Sequence, residues 1–203
     1  MSNNSITWKI DNFNKVGSFS ATVLGSPAII ETELGRALQF DGAADALIVE
    51  DNPIAGRDAF TIEVIFRPDS GGNTEQRFLH FQEVDSHRVL IETRLTENGK
   101  WFLDTYMKYG NSDKTLYAKN HLHDLDQWYH AVLTYDGTNM AHYVNGMLEL
   151  SGSVKFNPMN GGETSIGCRI NRVYWFKGAI ILIKFTPSAL PPGEFGLLKM
   201  LNE

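Results

Sequence analysis

Cysteine is nearly missing from this chain: a single thiol, Cys168, in 203 residues. It cannot close an intrachain disulfide, so a hydrophobic core has to hold the fold, and 42% hydrophobic residues are enough for a full-sized one. Cys168 sits in the alternating stretch TSIGCRI, where a buried thiol acts as a small hydrophobe, and a lone cysteine fits a reducing compartment. A basic, apolar leader is missing from the opening MSNNSITWKIDNF. The longest purely aliphatic run, Ala179 to Ile183, is far too short to span a bilayer. The expectation is a soluble, cytoplasmic protein without a membrane partner, or a secreted one if a leader has been removed. Positive charge is scarce as well. The net charge is −6, no Lys/Arg cluster makes a local basic field, and nucleic acid is not an expected partner. Nucleophile elbow, phosphate loop, dinucleotide fingerprint and zincin helix are all lacking, so no cofactor is expected.

Helical periodicity is lacking too, and strand periodicity takes its place. ALQF (37–40), ALIVE (46–50), FTIEVIF (60–66), RFLHFQ (77–82), HRVLIETRL (87–95), KWFLDTYMK (100–108), QWYHAVLTY (127–135), MAHYVN (140–145), TSIGCRI (164–170) and AIILIKF (179–185) are short and rich in β-branched or aromatic residues. Each is bounded by Gly, Asn, Asp or Pro. The pattern predicts an all-β, antiparallel β-sandwich over residues 1–203 as one domain. Only the tail after Pro191-Pro192, GEFGLLKML, offers a short helix or turn, with a proline start and apolar Phe195, Leu198 and Leu201.

Turn chemistry decides which side chains share a face. Glu97-Asn98-Gly99 fits either a two-residue Asn-Gly turn or a type I turn closed by a left-handed bulge at Gly99. The first would put Glu92 and Arg94 beside Trp101 and Leu103. The second gives one apolar face, Val89, Ile91, Leu95, Trp101, Leu103 and Met107, and one polar face, Arg88, Glu92, Arg94, Asp104, Tyr106 and Lys108. Burial of one face selects the bulged register. In QWYHAVLTYDGTNMAHYVNG, a loop at Asp136–Asn139 pairs Tyr135 with Met140. That puts Ala131, Leu133, Tyr135, Met140 and Val144 on a core face, and Trp128, His130, Thr134 and Tyr143 on the other. His142 falls on the core side, opposite Glu149, where a carboxylate or backbone group satisfies it.

QWYHAVLTYDGTNMAHYVNG, the earlier ALQFDGAADALIVE, and the late TSIGCRI followed by FKGAI and SALPPGEF together resemble the successive segments of laminin-G-like jelly-roll domains in the concanavalin A-like lectin/glucanase superfamily. The resemblance covers residues 37–195. It implies two packed antiparallel sheets, one concave, with ligands taken in the concave face or at the loop rim. It does not imply one function, since such domains include lectins, binding modules, hydrolases, lyases and interaction domains. The chain departs from the family after FKGAI. Relatives commonly carry an acidic pair there that helps to hold calcium, and this chain has Ile181 and Leu182. Asp41, Asp45, Glu50 and Asp51 are either remaining oxygen ligands or a solvated loop, and no metal is assigned.

A dense polar face is the main functional hint. Adding His80 and Gln82 from RFLHFQ, with Arg77, Leu79 and Phe81 pointing the opposite way, gives His80, Gln82, Glu92, Arg94, Asp104, Tyr106, His130 and Tyr143. Planar hydrogen-bonding groups and aromatic rings are what a sugar asks for, so the expected partner is an oligo- or polysaccharide. Arg169 and Arg172, with Asn171, before Tyr174-Trp175 are a second candidate, a bidentate carboxylate clamp beside an aromatic platform. The cluster His121-Leu122-His123-Asp124-Leu125-Asp126 is either a metal-like pair of imidazoles or an exposed connection.

Three functions compete: a carbohydrate-binding, lectin-like domain; a polysaccharide-active enzyme, either glycoside hydrolase or uronate lyase; and a protein-interaction domain without a small ligand. The strands lack the E-x-D-x-x-E run of glucanases in this superfamily, which favours binding. Catalytic candidates are nonetheless Glu92 and Asp104, directly opposite in the bulged register, and His130 or Tyr143 as a base beside a uronate held by Arg94. Arg94→Ala and Tyr106→Ala are expected to weaken binding and leave the fold intact.

Overall fold

The computed structural model describes residues 5–83 and 87–201. Each stretch with strand periodicity joins one of two antiparallel sheets. The first sheet runs Met147–Ser153, Asn139–Val144, Tyr129–Tyr135, Phe60–Pro68, Lys177–Thr186, Gly35–Asp41, Ala28–Thr32, with Ile6–Lys9 also paired to Lys177–Thr186. The second runs Ser112–Tyr117, Lys100–Tyr109, Arg88–Leu95, Glu75–Gln82, Glu163–Ile166, Ala46–Val49, Phe19–Leu24, Lys15–Val16, with His123–Asp124 beside Lys100–Tyr109. The sheets share one core. Phe66 of the first and Phe78 of the second stack at 4.4 Å, and Trp101 meets Phe66 edge-on at 5.3 Å. Such pairs add about 0.5–1.5 kcal/mol each beyond area burial.

Register in the hairpin 88–109 follows the Gly99 bulge. Gly99 has φ +68°, its N–H donates to Thr96 O at 3.2 Å, and Thr96 N–H donates to Lys100 O at 2.8 Å. Leu95 then pairs with Trp101, and Glu92 with Asp104. Trp101, Leu103, Thr105 and Met107 are fully buried on the inner side. Likewise Tyr135 pairs with Met140, and Ala131, Leu133 and Tyr135 face the core.

The structure adds strands that the sequence pattern did not include, Ile6–Lys9, Lys15–Val16, Phe19–Leu24, Ala28–Thr32, Ser112–Tyr117, His123–Asp124 and Met147–Ser153, and one stretch departs from the pattern. TSIGCRI leaves the sheet after Ile166, because Gly167 takes φ +98° at a point where a Cβ would stand 2.7 Å from Phe40 Cδ1. The chain then loops back over the second sheet, with positive φ at Arg172 and Tyr174. The tail makes two 3-10 turns, Pro192–Glu194 and Leu198–Leu201, with no α-helix among its described residues. The N–H groups of Gly196 and Leu197 donate to the Glu63 carboxylate, at 3.2 and 2.9 Å, and so cannot continue a helix.

Candidate functional site

Alternation in the hairpin 88–109 turns Arg88, Leu90, Glu92, Arg94, Asp104 and Tyr106 away from the core, onto the outer face of the second sheet. There they line a cavity of about 190 Å³ together with Arg77, Thr115 and Arg169. Arg77 was expected to point inward. It does not, because the ladder slips between Arg77, opposite Glu92, and Leu79, opposite Ile91. A bulge at Phe78 puts two consecutive apolar residues, Phe78 and Leu79, into the core and leaves Arg77 outside. The adjacent Phe-Leu in an otherwise alternating stretch was the available signal.

The arginines and acids interlock. Arg94 Nε donates to Asp104 Oδ2 at 2.8 Å, and Arg94 Nη2 stands 3.4 Å from Glu92 Oε2. Arg77 Nε lies 3.0 Å from Glu92 Oε2, and Arg77 Nη1 donates to Glu75 at 2.8 Å. Glu75 also pairs with Arg94 from the rim. Three tyrosine rings frame this lattice. Arg77 lies 3.7 Å from the centre of the Tyr174 ring, Arg88 5.2 Å from Tyr106 and Arg94 5.6 Å from Tyr117. Positive φ at Tyr174 places its ring there.

Burial shapes the ionisation of the floor. Glu92 and Asp104 are only 3% and 2% exposed. Burial, with Asp104 beside it, pushes Glu92 up to about 7. Burial also raises Asp104, against the pull of Arg94. Arg169 is held below its ordinary value by burial and by the charges of Arg88 and Arg77. Among the described residues that line the cavity, three buried atoms have no hydrogen-bond partner: Asp104 Oδ1, an acceptor, and the donors Arg169 Nε and Arg77 Nε, the latter keeping its ionic contact with Glu92.

The other expected site residues are placed elsewhere. His80 is on this sheet's outer face but fully buried beneath the 167–174 loop, its Nδ1 accepting from Ile170 N–H at 3.0 Å. Burial, then the charges of Arg169, Arg88 and Arg77, lower it to about 3, so it is neutral. Gln82 is half-buried, paired with Arg88 across one ladder and Glu163 across the other, and does not line the cavity. Arg172 is exposed on the turn. His130 and Tyr143 lie on the outer face of the first sheet, so the sandwich separates them from the Glu92–Arg94 face and the eight residues do not form one surface. His130 Nε2 is 3.0 Å from Glu63 Oε2, both side chains fully buried, and Phe195 packs on His130 and Tyr143 at 5.9 and 5.1 Å. His142 lies inside, with Nδ1 2.9 Å from Thr105 Oγ1 and Nε2 3.7 Å from Glu149 Oε2.

Two of the four acids of the acidic loop are turned to backbone amides. Asp41 Oδ1 already accepts the N–H groups of Ala43, Ala44 and Asp45, while Asp45 accepts those of Ser26 and Asp41. Ile181 packs with Leu197 in a small apolar cluster on the first sheet's outer face. His123 turns to Glu149 at 2.6 Å while His121 is exposed. Among the described residues no cluster of three or more His, Cys, Asp or Glu is disposed to hold a metal.

A larger cavity of about 760 Å³ lies on the first sheet's outer side, lined by Trp128, Arg67, Asn145, Met200 and others. Its arginine is already held bidentately by Asp69 at 2.6 and 3.1 Å and lies 5.3 Å from the Trp128 ring centre. Among the described residues lining the two cavities, the buried polar atoms without a hydrogen-bond partner belong to the smaller cavity and not to this one.

The family described as the concanavalin A-like lectin/glucanases superfamily matches residues 41–194. No curated protein matches the chain. Among solved structures, domain 4 of AbnA, a GH43 extracellular arabinanase from Geobacillus stearothermophilus in complex with arabinotriose, superposes with TM-score 0.72 at 17% identity, covering 95% of this chain and 96% of that one. The binding domain of Paraclostridial Mosquitocidal Protein 1 does so with TM-score 0.72 at 17% identity, over 98% of this chain and 51% of that one, so this chain spans about half of it. A heptameric SAP-like pentraxin from Limulus polyphemus gives 0.62 at 16% identity, over 76% of each chain. At these identities the likeness is one of fold. The fold is one that binding domains use.

Proposed function

This chain belongs to the concanavalin A-like lectin/glucanase superfamily, and on that basis we propose that it is a carbohydrate-recognition domain whose ligand sits on the outer face of the second sheet. The observation that carries this reading is the cavity around Glu92, Arg94 and Asp104, where fixed planar hydrogen-bonding groups lie among the rings of Tyr106, Tyr117 and Tyr174. Sugar hydroxyls come in adjacent pairs that planar guanidinium and carboxylate groups match, and aromatic rings cover the apolar C–H faces. At about 190 Å³ the cavity is smaller than the roughly 300–1,000 Å³ of drug-sized ligand sites, and so suits one sugar unit of a longer chain. The complex of the arabinanase domain with arabinotriose supports the reading by analogy of fold.

Recognition is favoured over catalysis because both floor acids are engaged in holding arginines, Glu92 by Arg77 and Asp104 by Arg94. Catalysis on the same face keeps one specific support, the pairing of Glu92, raised to about 7, with Asp104. A carboxyl poised near neutral pH is what a general acid needs.

The test is a glycan array run together with an activity screen on neutral and uronic polysaccharides. Recognition predicts a ligand whose affinity falls roughly ten- to a hundredfold in Tyr106→Ala, with no turnover. Turnover that Glu92→Gln abolishes while binding persists would establish the enzyme instead. An array without any ligand would overturn both and leave a protein-interaction domain.

A further inference from the structure

Charge in the cavity is unbalanced. Four arginines, Arg77, Arg88, Arg94 and Arg169, line it against two carboxyls, Glu92 and Asp104, in a chain whose net charge is −6. Glu75 on the rim does not close the gap, since it is shared between Arg77 and Arg94. Arg169 is the unmatched one. Among the described residues it makes no ion pair, and its Nε is buried without a hydrogen-bond partner. An unmet guanidinium N–H at a cavity wall is a costly arrangement unless a ligand meets it. The same cavity presents the opposite need, the unmet acceptor Asp104 Oδ1. A ligand that answers both brings an anionic oxygen to Arg169 and a hydroxyl hydrogen to Asp104.

We propose that this cavity takes an acidic sugar unit: its carboxylate or sulfate oxygens accept from Arg169, with Arg88 and Arg77 flanking, and a ring hydroxyl donates to Asp104 Oδ1. The proposal rests on the carbohydrate-recognition reading and names its substrate class. Both oxyanions share the geometry that guanidinium groups read bidentately. A neutral sugar would meet Arg169 with a hydroxyl oxygen but leave its charge unmatched, and a simple anion would leave Asp104 unmet.

Calorimetric titration with matched probes tests it: a uronate-containing oligosaccharide, the same oligosaccharide with its carboxyls reduced to alcohols, a sulfated analogue, and inorganic sulfate alone. The acidic oligosaccharides should bind roughly ten- to a hundredfold more tightly than the reduced one, the range expected of a hydrogen-bonded charge. Their affinity should fall with added salt, and the uronate and sulfated arms identify the oxyanion. Arg169→Gln should remove that preference, with acidic and reduced oligosaccharides then binding about equally. Arg169→Lys, which keeps the charge and loses the planar fork, should retain part of it, and equal melting temperatures certify the fold. Trp128→Ala, at the other cavity, should change nothing. Equal binding of acidic and reduced oligosaccharides would overturn the acidic class and leave carbohydrate recognition standing. Binding of inorganic sulfate with no oligosaccharide bound would overturn both. A preference that survives Arg169→Gln and is lost in Trp128→Ala would overturn the site, since it would put the ligand on the first sheet.

Discussion

Arg94 acts on stability as much as on binding. Its guanidinium neutralises Asp104 and part of Glu92, both almost completely buried. Arg94→Ala would strand those carboxyls, and breaking a buried pair from one side costs about 3–5 kcal/mol. Denaturant melts should therefore show a large loss for Arg94→Ala, in place of the intact fold that its polar position implied. Tyr106→Ala, at a half-buried ring, should cost on the order of 1 kcal/mol or less. Glu92 adds a pH dependence of definite sign. Its folded value of about 7 lies above the 4.5 of an ordinary Glu, so the fold holds a proton that the unfolded chain releases. The stability this contributes is complete below about 4.5 and is lost as the pH rises through about 7. Between those limits the loss should be on the order of 1–3 kcal/mol, and Glu92→Gln, neutral throughout, should lack that slope. Identical pH slopes in the two proteins would remove the assignment.

Elements differ in how they are anchored. The hairpin 88–109 is held from the inside: Trp101 is fully buried against Phe66 and Tyr129, so Trp101→Ala should cost about 3–5 kcal/mol through the cavity it leaves. The C-terminal segment is held from the outside, by Phe195 on His130 and Tyr143 and by two backbone N–H groups on Glu63. Glu63→Ala should release it locally. Hydrogen exchange at Gly196 and Leu197 should quicken while the strand Phe60–Pro68 stays protected, and uniform loss of protection would mean that the segment is part of the cooperative core. The same arrangement explains why the tail forms short turns and not a longer helix. Its apolar residues cover a sheet face, and its amides are used by a carboxylate remote in sequence.

Across the whole molecule, stability is expected to be independent of calcium. Asp41 and Asp45 of the acidic loop accept backbone amides, and Ile181 packs against Leu197. Chelator should leave the melting temperature unchanged; a drop of several degrees, restored by calcium, would contradict this, because a ligand of the folded state stabilises it by mass action. The sandwich also assigns different work to its two outer faces. One is covered by the chain's own C-terminal segment, and the other carries the open arginine–carboxyl cavity.

Local periodicity and turn chemistry were enough to determine the all-β class, the strands with clear alternation, the Gly99 register and the facing of Glu92 to Asp104, because each depends on residues a few positions apart. Alternation also separates inside from outside within a strand. It does not say to which sheet a hairpin belongs. His130 and Tyr143 have the outward parity of Arg94 and Tyr106, and only the pairing of Tyr129–Tyr135 with Phe60–Pro68 puts them on the opposite side of the sandwich. The bulge at Phe78, which brings Arg77 to the cavity, and the left-handed turns that bring Arg169 and Tyr174 over it are likewise set by packing against distant strands. The acids of the site could be read from spacing, whereas its surplus of arginine arises only when three separate segments meet.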